Sequence, residues 1–335
     1  MTNPIFWVGV LTLAAIYASL AMALNIESGW GGMWDLGIAG LLAAGSYCYV
    51  ILTSDADLGM RFAPELSMWV AWPLAAAFTG LVAFAIGAPA LRLRREYFLI
   101  TTLAFAEIIR QLVVIQADLT RGTVGVPNIN RPFDSFVTGR EYNYVLLGVA
   151  AAAAAVMYLV TRQIGISPFG RTLRAARDNE AVALALGKRV NRMRIKTFVL
   201  AGVLIGATAP VYLFYIRAVS PQLFAPGITF TVWTALVIGG LGSIKGGLAG
   251  AFVLIVFTEA VGLIEVDPAH INILVAIEPF LVGLLLVLVL RFRPDGLFSE
   301  RTAFGAGRRS GRHSSETADR TGPAASAPTA PASGS

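Results

Sequence analysis

The chain has 335 residues, 56% of them hydrophobic and only 14% charged, with a mean hydropathy of +0.70. Soluble domains carry about 25% charged residues, so the composition excludes a water-soluble globular enzyme and a disordered chain. It predicts an all-α, polytopic helical bundle in a membrane.

A single cysteine, Cys48, permits no internal disulfide and no Cys-based zinc site. A membrane-crossing helix needs about 20 mostly apolar residues. Such runs cover 5–26, 36–54, 66–91, 97–117, 142–161, 197–216, 228–244, 246–264 and 271–290, which predicts about 8–9 spans. The first run lacks a basic leading segment and a good cleavage site, so it reads as a retained helix and not a signal peptide.

In chain order, the first connection is Asn25-Ile26-Glu27-Ser28-Gly29-Trp30-Gly31-Gly32-Met33-Trp34-Asp35-Leu36-Gly37. It is Gly-rich and acidic, with no Lys or Arg. The next loop is acidic (Asp55, Asp57, Arg61, Glu65), and the one before run 97–117 is basic (Arg92, Arg94, Arg95, Glu96). The segment 118–141 is balanced. The loop 162–196 holds nine basic residues against Asp178 and Glu180. The seventh and eighth runs are short and Gly-rich, joined by Ser243, Ile244 and Lys245, and read as a tight hairpin or a broken segment. Glu265 and Asp267 form an acidic turn beside His270, a solvated or capping histidine more readily than a metal ligand. Arg291 and Arg293 close the last run.

The positive-inside rule places the two basic loops and the C-terminus in the cytoplasm and the N-terminus outside. Residues 1–298 are then a transmembrane domain. The tail 299–335, rich in Ser, Ala, Pro, Gly and Arg, is predicted to be disordered and cytoplasmic, attracted to anionic lipid. The net charge of +6 therefore lies on one membrane face and is no nucleic-acid footprint. Only the connection 25–37 breaks the pattern: by parity it is cytoplasmic, yet it is acidic. It is either a packing break at the inner interface or an unwound stretch lining a cavity, with Asn25, Glu27, Gly32 and Asp35 along a translocation path.

Within the large loop, Pro168 and Gly170 precede a helical pattern from about Arg171. Asp178-Asn179-Glu180 breaks it and caps a second short helix, whose apolar side is Ala181, Val182, Ala185 and Leu186 and which Gly187 ends. Such a helix either docks into a partner's groove or lies on lipid headgroups. Glu107 and Arg110, three residues apart in the fourth run, share a helix face; they line a path or form a structural ion pair. Glu278, followed by Pro279, is either a kink-associated or a functional site.

Several blocks resemble the branched-chain amino-acid permeases of ABC importers (LivM type). These are Leu91-Arg92-Leu93-Arg94-Arg95-Glu96-Tyr97-Phe98 with Thr102 to Arg110; Gly170-Arg171 through Glu180-Ala181 and Ala183 to Gly187; Gly239-Gly240-Leu241-Gly242-Ser243 with Gly246 and Gly250-Ala251; and Arg293-Pro294 with Gly296-Leu297. They occur in the family's order across the membrane body. The resemblance implies a transport subunit in the inner membrane that is not itself an enzyme. It implies a second homologous permease, two cytoplasmic ATP-binding subunits that hold ATP and Mg, and an extracytoplasmic solute-binding protein. It makes the loop 162–196 the coupling loop, with Arg171, Arg174, Asp178, Glu180, Ala181, Ala183 and Gly187 facing the ATPase. No Walker motif and no metal or other cofactor site is expected on this chain.

The connection 25–37 departs from the family pattern, with Asp35 where Ser is expected and Ile38 or Ala39 where His is expected. The cargo is therefore a branched-chain amino acid or another small polar solute, such as urea, an amide or a sugar. The competing class is an ion-coupled secondary transporter using Glu107, Asp35 or Glu278.

Overall fold

The computed structural model describes residues 4–54, 60–93, 95–134, 139–263 and 271–298. Asp55, Asp57, Arg94, Glu265, Asp267, His270 and the tail from 299 lie outside them, as does the side chain of Glu278.

Helix α1 (Pro4–Leu24) runs directly into a six-residue π-turn, Asn25–Trp30. An irregular stretch over 31–37 leads to α2 (Ile38–Thr53), α3 (Met68–Ala90) and α4 (Arg95–Ile115). A single turn, α5 (Ala117–Thr120), and strand β1 (Val126–Pro127) precede α6 (Tyr142–Ile166). Two short helices follow, α7 (Pro168–Asp178) and α8 (Glu180–Ala185). Then come α9 (Val190–Ile216), β2 (Ala218–Val219), α10 (Pro226–Gly239), α11 (Ile244–Gly262) and α12 (Ile271–Phe292).

Six of the described helices are long and apolar enough to cross a membrane, and Ile38–Thr53 and Pro226–Gly239 are shorter apolar helices. The protein is a multi-pass helical membrane protein. The all-α expectation needs one small correction: β1 and β2 pair antiparallel, Val126 opposite Val219 and Pro127 opposite Ala218, which pins the 118–131 loop to the far end of α9. A second correction concerns α9, which begins at Val190 instead of 197 and so carries Arg192, Arg194 and Lys196 on its first turns. Charge marked the edge of the apolar run, but the backbone hydrogen bonds of the helix continue past it, because long cationic side chains can point their charged ends away from the apolar run.

Without a hydrophobic drive between helices in lipid, close approach of small residues supplies the packing. Helices α2, α3 and α9 meet in this way: a Cβ on Gly45 or Gly206 would strike Thr79, and one on Gly202 would strike Ala83. The α10–α11 pair is a tight hairpin of two separate helices. A Cβ at Gly239 would run into the Gly246 backbone, and one at Gly250 into the Ala235 carbonyl. Its turn accepts the end of the described chain, because Leu297 and Phe298 donate backbone N–H groups to the carbonyls of Ile238 and Gly239 at 2.9 Å. Helix α1 packs against α6, α9, α10 and α11 and is the bundle's central element.

Candidate translocation site

The π-turn is closed by Gly31 N donating to Ile26 O at 3.1 Å, an i→i−5 bond, and by Met33 N donating to Glu27 O at 3.1 Å. Glycine permits the geometry. Gly32 has φ +63°, and a Cβ on Gly29 would lie 2.6 Å from Gly242 N. Asn25 Oδ1 accepts from Gly242 N at 2.8 Å, and Trp30 Nε1 donates to Gly242 O at 2.9 Å. The end of α1 is thereby bonded to the turn of the α10–α11 hairpin.

From Gly32 the chain climbs back into the bundle. Trp233 Nε1 donates to Asp35 O at 2.6 Å, Leu36 N to Thr102 Oγ1 at 3.0 Å, and Ala39 N to Thr229 Oγ1 at 3.1 Å. Thr229 stands ten residues before Gly239, about 15 Å up α10 at 1.5 Å per residue. Helix α2 therefore starts inside the bundle, and the segment 31–37 is unwound backbone that buries Asp35 and leaves Trp34 half exposed.

This break gathers Asn25, Glu27 and Asp35, all fully buried. The carboxyl groups of Glu27 and Asp35 face each other. Gly37 N donates to Asp35 Oδ1 at 2.7 Å. Both carboxyl oxygens of Glu27, Asp35 Oδ2 and Asn25 Nδ2 have no hydrogen-bond partner among the described residues. Gly32 and Met33 form one wall of a cavity of about 710 Å³, whose other walls include Arg92, Glu96, Glu180 and Arg194. The cavity opens at the end of the molecule where the basic segments cluster.

Glu107 and Arg110 lie elsewhere. They pair on α4 at 2.8 Å (Arg110 Nε to Glu107), with Gln111 Nε2 donating to Glu107 Oε1 at 2.9 Å. The Glu107 side chain is 44% exposed, and Glu107 also lines a small cavity with Leu36, Ala39 and Thr229.

The loop between α6 and α9 folds much as its sequence predicts. The Ser167 side chain caps α7 by accepting from Gly170 N at 3.2 Å, with Pro168 in the first turn, so α7 starts three residues before Arg171. Asn179 caps α8, accepting from Val182 N at 3.1 Å, and Gly187 ends the motif with φ +74°. Ala176, Ala183 and Val190 form a small cluster joining α7, α8 and α9. Ala183 is thus turned inward, while Val182, Leu184 and Leu186 are exposed. Arg171, Ala181 and Gly187 face outward. Asp178 pairs with Arg177, and Glu180 makes a two-pronged pair with Arg194 at 2.8 and 3.0 Å.

Arg174 turns inward, donating to Gly165 O at 2.8 Å and lying over the Trp30 ring, 5.5 Å from its centroid. Arg177, absent from the sequence-derived site residues, donates from Nη1 to Gly29 O. The available signal was the lack of any Lys or Arg in 25–37 beside a loop with a surplus of them.

A family model described as "Branched-chain amino acid transport system / permease component" matches residues 6–290. The chain belongs to this permease family. The permease is 28% identical over 312 residues to the high-affinity branched-chain amino acid transport system permease protein LivM of Escherichia coli, covering 87% of this chain and 69% of that one. It is 26% identical to a probable LivM of Methanocaldococcus jannaschii (87% and 93% covered). It is also 28% identical to BraD of Pseudomonas aeruginosa, a high-affinity branched-chain amino acid transport system permease protein (86% and 92% covered). No solved structure matches the permease.

Proposed function

We propose that this permease is the membrane-spanning subunit of an ATP-driven importer for branched-chain amino acids or a related small polar solute. The observation that carries the reading is the α7–α8 loop: two capped helices outside the bundle, holding apolar Val182, Leu184 and Leu186 out from an otherwise basic surface. Exposed apolar side chains on a short, rigidly capped helix suit a partner's groove. In this reading the loop is cytoplasmic and docks on an ATP-binding subunit that carries ATP and Mg. Arg171, Glu180, Ala181 and Gly187 lie at the contact; Arg174, Asp178 and Ala183 hold the loop's shape. The N-terminus is extracytoplasmic, and a solute-binding protein delivers cargo to that face of the inner membrane.

The break is the path-lining element. Two buried carboxyl groups facing each other demand a positive partner, whether a shared proton or a cationic group on the solute. The ammonium of an amino acid meets that demand. Glu107 and Arg110 belong to the subunit interface. Taking 1.5 Å per residue, Glu107 lies about 18 Å from the first residue of α4 and 12 Å from its last, and Arg110 about 22 Å and 8 Å. A partly exposed ion pair at that depth calls for a second permease beside it instead of lipid tails.

The test is reconstitution in proteoliposomes with the partner subunits. ATP-dependent uptake of a branched-chain amino acid and co-purification with an ATPase are expected. Uptake driven by a proton or sodium gradient without ATP would show a secondary transporter instead.

A further inference from the structure

The permease reading leaves open how movement of the docked loop reaches the buried break. We propose that Arg177 is the positioning residue that ties α7 to the π-turn, so that displacement of α7 moves the segment carrying Glu27 and Asp35. The inference rests on the reading above and extends it to one side chain.

A helix ends with carbonyls that lack intrahelical donors and with a partial negative charge. Basic side chains ordinarily meet that need from the helix's own last turn. Here α1 and its π-turn contain none, and no Lys or Arg occurs before Arg61. Both cations come from α7 instead. Arg177 donates to Gly29 O, and Arg174 covers Trp30 while bonding Gly165 O at the end of α6. The loop's positive charge thereby supplies what the acidic connection lacks.

The link continues past the π-turn. Trp30 and Asn25 hold the backbone of Gly242 through one donor and one acceptor, so the hairpin turn is fixed to the same end of α1. There is little slack in this junction. A Cβ on Gly29 would meet Gly242, and one on Gly165 would lie 2.8 Å from the Trp30 ring. Contacts this close pass on displacement, because packed interiors switch between arrangements and do not deform smoothly. Arginine suits the task, since one planar fork can serve Asp178 on its own loop and Gly29 O across the junction.

The experiment measures ATP hydrolysed per solute imported by the full complex in proteoliposomes. Arg177→Gln is expected to raise that ratio ten-fold or more while ATPase binding and folded yield stay at wild-type levels. Arg177→Lys keeps the charge and one donor and is expected to give an intermediate ratio. Trp34→Cys, with Cys48→Ser, should change thiol reactivity when ATP binds, and lose that change in the Arg177→Gln background. A wild-type ratio in Arg177→Gln overturns the proposal; where that variant does not assemble, the same ratio in Arg177→Met does so. The wild-type complex separates this failure from failure of the permease reading. If wild type imports without ATP, the reading falls and the link with it. If wild type is ATP-driven and the variants match it, only the link falls.

Discussion

Glu27 is the side chain whose surroundings fit its chemistry least. A carboxyl group enclosed by protein and left without a hydrogen-bond partner costs several kcal/mol unless a proton or cation meets it, and Asp35 beside it deepens the deficit. Glu27→Gln keeps the shape and removes the repulsion. Its thermal midpoint in detergent should be unchanged or higher, while solute uptake falls at least ten-fold. Uptake at the wild-type level would reduce the pair to a packing feature. These residues were legible in the sequence because acids are rare in apolar surroundings and so stand out one by one. Arg177 was not legible in that way. It is one of nine cations in its loop, and only the fold distinguishes the one that reaches across to Gly29 from those facing solvent.

At the scale of elements, apolar periodicity located most helices to within a few residues, and punctuation located the caps. Ser167, Pro168, Asn179 and Gly187 each do what their chemistry suggests. The sequence put the apolar side of α8 on Ala181, Val182, Ala185 and Leu186, yet those four are exposed and Ala183 is the residue turned inward. After Glu180 the five remaining residues of α8 are all Ala, Val or Leu and apolar almost all round, so the inward position is set by packing beside Ala176 and Val190, which Ala183 joins. That division yields a paired prediction. Leu184→Asp with Leu186→Asp should abolish ATPase capture without lowering the permease's own thermal midpoint, because both side chains are exposed. Ala183→Leu should do the reverse first, lowering the midpoint through overpacking that costs about 1–3 kcal/mol. Co-purification and differential scanning fluorimetry on the same samples tell the two effects apart. The β1–β2 ribbon escaped the sequence altogether, since a pair of two-residue strands leaves no periodicity to read.

At the scale of the molecule, the distribution of charge says which faces meet lipid. Helix α6 shows an outward surface of Tyr144, Val156 and Leu159 and has no charged residue before Arg162, so hydrocarbon covers it at no cost. Helix α4 is different. Its outward face alternates Ile100, Ile108 and Leu112 with the Glu107–Arg110 pair. A charge at the centre of a bilayer costs about 2.5–3.5 kcal/mol on insertion scales, and pairing recovers only part of that. A second permease packed on α4 would cover the pair with polar groups or enclose it beside a water-filled path, and either removes the penalty. If the proposed second permease packs there, Ile108→Cys or Leu112→Cys should cross-link to it in native membranes. Cysteine at Val156 should not. Glu107→Gln, which leaves Arg110 without its carboxylate, should weaken recovery of the paired permeases more than it lowers the stability of the single chain. Absence of cross-linking at both α4 positions in an assembled, transporting complex would place the ion pair away from the subunit contact and end this assignment of the interface.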